Sequence, residues 1–185
     1  MNMKSQAINT IKHPSLWEIC HKTLRPKGRK GLVRLFIIFL SLFTLTTVHA
    51  QDAKELYKKG KELYEAKKYN EAFPILKTAA DKGNKKAQYR VGRCYAKGKG
   101  VKEDKTIAFQ WYTKSAKQDY AKAQYALGRC YMKGNGTTAD PQKAKTWLSK
   151  AIKNAKGGDE ILKEVKEKAK EGDDDAKNIL KIVGK

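Results

Sequence analysis

The stretch Ala87-Gln88-Tyr89-Arg90-Val91-Gly92-Arg93-Cys94-Tyr95 returns 36 residues later as Ala123-Gln124-Tyr125-Ala126-Leu127-Gly128-Arg129-Cys130-Tyr131, with seven identities in nine. The correspondence runs on through Lys97-Gly98 and Gly100 against Lys133-Gly134 and Gly136, then through Asp104, Ala108 and Trp111 against Asp140, Ala144 and Trp147. A fixed period of this size marks an array of stacked units, none of which can bury its apolar face alone.

Each period predicts two helices. Ala87, Val91 and Cys94, and again Ala123, Leu127 and Cys130, fall at i, i+4 and i+7, one apolar stripe per helix. The second helix carries its stripe on Ala108, Trp111 or Tyr112, and Ser115 or Ala116, then on Ala144, Trp147 or Leu148, and Ala151 or Ile152. Trp111 and Trp147 are expected in the core. Asn84 is a predicted N-cap, and Asp140-Pro141 pairs a cap with proline at the first helical position. Gly98 and Gly134 stand just past helix ends, where a left-handed residue is wanted. Gly92 and Gly128 lie inside helices at a cost of roughly 1 kcal/mol each relative to Ala. Their equivalent placement predicts a close approach of neighbouring helices.

The same logic divides the chain into a leader (residues 1–50), a first helix pair (51–83), two units (84–119 and 120–155) and degenerate capping helices (156–185). In the first pair Leu56, Gly60, Leu63 and Tyr64 line one helix, and Pro74 is placed in the first turn of the next, where it does least harm. Asp173-Asp174-Asp175 reads as a terminal cap with a wet outer face, since it lacks the Gly and distal Glu of a calcium loop.

The string Ala-Gln-Tyr-x-Leu-Gly-x-x-Tyr-x-x-Gly-x-Gly at Ala123 to Gly136, with Ala-x-x-Trp-Tyr-x-x-Ser-Ala at Ala108 to Ala116, resembles the Sel-one-like repeat (SLR), a relative of the tetratricopeptide repeat. The resemblance covers residues 70–155 well and 156–185 loosely, while residues 52–69 look more like a tetratricopeptide first helix. It implies an all-α, right-handed solenoid of antiparallel helix pairs with a concave binding face, acting as an adaptor in protein complexes. A secreted, cysteine-rich branch of the family, described as penicillin-binding or β-lactamase-like, carries paired cysteines within each unit. Here each unit has one, Cys94 or Cys130, and Cys20 lies in the leader. That activity is therefore not carried over.

The leader reads as an address. Basic residues from Arg25 to Arg34 precede the apolar run Leu35 to Val48, and Val48-His49-Ala50 offers small residues for cleavage before Gln51. This is the pattern of a secretory signal peptide. Its 14 apolar-run residues fall short of the roughly 20 a spanning helix needs. The rival is an uncleaved anchor, with Arg34 snorkelling. The leader holds eight basic residues and one acid. Subtracted from the chain's 41 and 19, these leave 33 and 18, a net of +15 on the remainder. A field of that sign attracts anionic partners.

Catalytic chemistry is hard to find. All three histidines, His13, His21 and His49, precede Gln51, which removes His-based nucleophile pairs and imidazole zinc sites from the rest. No Ser-x-x-Lys occurs. Gly98-Lys99-Gly100 and Gly134-Asn135-Gly136 lack the ending of a phosphate loop and read as turns. The 18 carboxylates of the remainder, Glu160 and Glu164 among them, read as solvated faces and caps. Cys94 and Cys130 could form a disulfide in an oxidising compartment. Equivalent positions in stacked helices, however, sit about 9–10 Å apart, beyond the roughly 7 Å that a disulfide spans, so buried thiols are expected. No enzyme activity, metal or cofactor is predicted.

The candidate partner-binding face is a column: Arg93 and Arg129, one helical turn before Lys97 and Lys133, with Tyr89 and Tyr125 alongside. Such a column can grip carboxylates or phosphates. Tyr95 and Tyr131 either border it or pack between helices. The expected function is an exported scaffold in the periplasm or at the cell surface, binding a protein or peptide with acidic groups. The second reading is a receptor for an anionic envelope polymer or lipid headgroup, and a cell-wall-acting hydrolase is a remote third. Export argues against nucleic acid. Membrane contact is expected only through the leader, if uncleaved.

Overall fold

A computed structural model describes residues 51–185. The leader, with its predicted signal peptide or anchor and Cys20, lies outside the described residues. The described chain is all-α. Its eight helices are α1 (residues 51–65), α2 (Tyr69–Asp81), α3 (Lys85–Lys97), α4 (Lys105–Lys117), α5 (Ala121–Lys133), α6 (Pro141–Ile152), α7 (Gly158–Lys170) and α8 (Asp174–Val183). Each packs on its neighbour in sequence, most extensively α3 on α4 and α5 on α6. None of these helices is long and apolar enough to cross a membrane.

The punctuation follows from orphan backbone groups at helix ends. Asn84 accepts from the amides of Lys86 and Ala87 at 3.0 Å. Asp104, Asp140 and Asp173 accept from Ile107, Lys143 and Ala176 at 2.8, 2.9 and 2.8 Å. Gly98 and Gly134 close α3 and α5 in the left-handed region, with φ of 62° and 69°, donating to Cys94 and Cys130 carbonyls. Pro74 departs from expectation. Helix α2 begins at Tyr69, so Pro74 lies in its second turn, inside the helix. The N–H that proline lacks would have pointed at the carbonyl of Asn70.

A seam of small and aliphatic side chains runs the length of the stack. Leu76, Ala79, Ala87, Val91 and Cys94 join α2 to α3 and Trp111. Ala108, Ala116, Ala123, Leu127 and Cys130 join α4 to α5. Leu148, Ile152, Ile161, Val165, Ala176 and Ile179 carry the seam into α7 and α8. Trp111 is buried as expected, but Trp147 is half-buried and Leu148 fills the core position beside it. Cys94 and Cys130 are buried, unpaired thiols.

Glycine sets the spacing within pairs. A Cβ added at Gly60 would stand 2.8 Å from Leu76 Cγ, at Gly92 2.7 Å from the Tyr112 ring, and at Gly128 2.7 Å from Leu148 Cγ. Between pairs, glycine with positive φ takes over. Gly100 (φ +70°) and Gly136 (φ +71°) press against the helix starts at Tyr69 and Lys105, where an added Cβ would meet the carbonyl oxygens at 2.2 and 2.0 Å. Substituting Gly136→Ala should therefore cost about 2–4 kcal/mol, from left-handed strain plus backbone overlap. Gly172→Ala, also left-handed (φ +96°) but with open space around it, should cost only about 1–2 kcal/mol. Urea-unfolding midpoints of the two variants test the difference.

Candidate partner-binding groove

The first helices of successive pairs, α1, α3, α5 and α7, present their exposed faces to one side and enclose a groove of about 660 Å³. Helix α3 runs through its centre. Lys86, Tyr89 or Arg90, Arg93 and Lys97 follow one another at helical spacing along its open stripe, and all five line the groove. Helix α5 supplies Lys122, Tyr125, Ala126 and Arg129 at the matching positions. Five of the six residues predicted for this face are thus brought together: Tyr89, Arg93, Lys97, Tyr125 and Arg129. Lys133 is not in the lining. It pairs instead with Asp175 of α8.

Tyrosines floor the centre. The Tyr89 ring meets Tyr112 at 5.9 Å and Tyr120 edge-on at 5.5 Å. The Arg93 guanidinium lies 6.0 Å from the ring centres of both Tyr64 and Tyr89, a distance at which the ring quadrupole still attracts a cation. Burial opposes the charge on Arg93, but the oxygens of Tyr89, Tyr64 and Tyr112 favour it, and its pKa ends above the ordinary value. Burial pushes the Tyr120 phenol up to about 12 and raises those of Tyr112 and Tyr125. These hydroxyls are neutral hydrogen-bonding groups at any physiological pH.

The carboxylates lie at the flanks. Glu65 of α1 pairs with Arg90 at 3.2 Å and Lys61 at 3.7 Å. Glu164 of α7 pairs with Lys168 at 2.5 Å. Lys122 reaches Glu160 at 2.9 Å. At the far end Asp175 bridges Arg129, at 3.3 Å, and Lys133. The Lys133 ammonium is the main force holding the Asp175 carboxyl below its ordinary pKa, against the opposing effect of burial. Lys86, Arg93 and Lys97, at the centre, have no carboxylate partner among the described residues.

Tyr95 and Tyr131 do not border this surface. They pack edge-on against Phe73 at 5.5 Å and Phe109 at 5.4 Å, the same inter-pair contact repeated 36 residues apart. Tyr57, Tyr120, Lys86 and Lys122 are groove residues that the sequence reading missed. One signal was available for Tyr120. It stands 36 residues after the cap Asn84, at an N-cap where its side chain makes no capping bond. A tyrosine that cannot cap is placed there for another contact.

The groove carries charge and aromatic surface. Among the described residues no cluster of three His, Cys, Asp or Glu could hold a metal ion. The Cys94 and Cys130 thiols are raised to about 11, first by burial. Only about one molecule in a thousand would carry the thiolate at pH 8. Thiol-directed reagents such as DTNB should leave both cysteines unmodified over minutes at pH 8 in the native protein and react with both in guanidinium. Rapid native labelling of either would contradict this burial.

The Sel1 repeat family model matches residues 85–120 and 121–155. The crystal structure of a Sel1 repeat protein from Oxalobacter formigenes is 44% identical over 52% of this chain and 40% of its own, with a TM-score of 0.50. The crystal structure of c5321, a protective antigen present in uropathogenic Escherichia coli strains and displaying an SLR fold, is 23% identical over 85% of this chain and 32% of its own, with a TM-score of 0.55. That second likeness concerns the fold alone. The chain spans less than half the length of either protein. No curated protein matches it.

Proposed function

We propose that this chain, a Sel1-repeat protein, is a scaffold of the cell envelope that holds a protein partner in the groove formed by α1, α3, α5 and α7. The observation that carries the reading is the centre of that groove, where cations without carboxylate partners sit among neutral tyrosines. Aromatic and arginine side chains supply most of the binding energy in protein interfaces, because they bury large surface while keeping a polar handle. The glycine-spaced stack keeps the groove helices in fixed register, so that little ordering cost falls on binding.

The envelope location rests on the leader. If it is a cleaved signal peptide, N-terminal sequencing of the exported protein will begin at Gln51. A protein that keeps its leader in the membrane fraction would be anchored instead.

An anionic polymer or lipid headgroup is the second reading, supported by the net charge of +15 on the residues after the leader. The carboxylates in the groove lining, Glu65 and Glu164, are each paired with a lysine or arginine. Catalysis is not proposed.

Affinity capture with crosslinking in the native envelope tests the scaffold. The wild-type chain should enrich a defined set of proteins. R93E/K97E, which reverses charge at the groove centre, should recover that set at least about fivefold less well. An identical set at identical yield from both would defeat the assignment of the groove.

A further inference from the structure

The repeat contains a worked example of its own ligand. In the last unit, Asp175 rests on Arg129 and Lys133, an Arg and a Lys spaced i, i+4 on one helix face. Thirty-six residues earlier, Arg93 and Lys97 repeat that pair on the equivalent helix. No carboxylate of the described residues meets them there. The two pairs differ in their acid: α8 covers the end of the stack and delivers Asp175 to the last pair, while the earlier pair receives none from the described residues.

We propose that Arg93 and Lys97 form a seat for an aspartate or glutamate side chain of an acidic peptide, bound as Asp175 is bound one repeat further on. This deepens the scaffold reading and rests on it. Lys97 and Arg129 also line a smaller cavity of about 220 Å³, to which Lys105 and Asn135 contribute and no carboxylate does. A guanidinium in a fixed fork, already held against Tyr64 and Tyr89, suits the planar geometry of a carboxylate better than a lysine alone. The acid that the chain itself seats on the equivalent pair is a side-chain carboxylate, Asp175, which favours an acidic peptide over a phosphate polymer.

Fluorescence anisotropy of a labelled, Asp-containing 12-residue peptide with the full-length chain tests the seat, with an Asn-for-Asp peptide, polyphosphate and anionic vesicles as comparisons. The Asp peptide should bind more tightly than its Asn counterpart. R93Q/K97Q should weaken it by about tenfold or more, the effect of losing charge-assisted hydrogen bonds. K163Q/K166Q removes the same charge from exposed positions on α7 outside the groove lining and should weaken it less than about twofold. K97Q alone removes only an exposed side chain and should still weaken binding severalfold, which keeps the test valid if the double variant unfolds. Equal losses in the two double variants would reduce the effect to bulk charge and overturn the seat. Arg93-dependent binding of polyphosphate or vesicles without binding of the Asp peptide would overturn the choice of ligand. A captured partner retained by R93Q/K97Q would remove the seat and leave the scaffold standing.

Discussion

The close approach of helices within each pair is the constraint on which everything else depends. At Gly60, Gly92 and Gly128 there is no room for a methyl group, because Leu76, Tyr112 and Leu148 occupy the space it would need. A glycine inside a helix weakens that helix by itself. Three of them in equivalent first helices make sense only if the lost helix propensity is offset by packing that a side chain would prevent. The alanines along the seam act in the same direction, letting the backbones draw together. Such cores are intolerant of added volume, since close-packed interiors have nowhere to put it.

Contacts that build the stack repeat at 36 residues, and the face that lines the groove repeats only in part. Gln118 donates to Gln88 at 2.8 Å and also reaches the Gly83 carbonyl. Asn154 donates to Gln124 at 3.0 Å and reaches the Asp119 carbonyl. In both units a side-chain amide at the end of the second helix joins two helix ends by donating to a buried glutamine, Gln88 or Gln124, with a shorter donor side chain in the second. The Phe73–Tyr95 and Phe109–Tyr131 pairs and the Gly100 and Gly136 contacts repeat likewise. On the concave side Asn84 gives way to Tyr120, and Arg90 to Ala126. Packing holds one set to the period. The other keeps Lys86 with Lys122, Tyr89 with Tyr125 and Arg93 with Arg129 but departs from the period at Tyr120 and Ala126, so the groove is not a ladder of identical surfaces.

This difference explains what the sequence could disclose. The helix pairs, caps, left-handed glycines and apolar seam were legible because each is dictated by local physics repeated at a fixed interval. The arginine and tyrosine column was legible for the same reason: Arg93 and Arg129, like Tyr89 and Tyr125, stand at equivalent positions of equivalent helices. Tyr57 and Tyr120 were not, because they sit outside the matched string and reach the groove through the curvature of the stack. Pro74 was misplaced by one turn although the helix start at Tyr69 is legible, because a helix that opens at Tyr69 completes its first turn before residue 74. Lys133 was assigned to the open face because nothing in one repeat reveals that α8, covering the end of the stack, will bring Asp175 to it.

That covering has a consequence for how charge is distributed. An array of identical basic units would repel itself along its length and expose an identical strip at every repeat. Here the flanks are neutralised from within: Glu65 meets Arg90, Glu164 meets Lys168, and Asp175 meets Arg129 and Lys133. Within the groove lining, the cations that no carboxylate of the described residues meets are Lys86, Arg93 and Lys97 on α3, beside aromatic rings. Repetition builds a rigid frame out of equal parts, and the terminal helices then make those parts unequal. On the proposed reading, specificity resides in the groove cations of α3, for which the described residues supply no carboxylate.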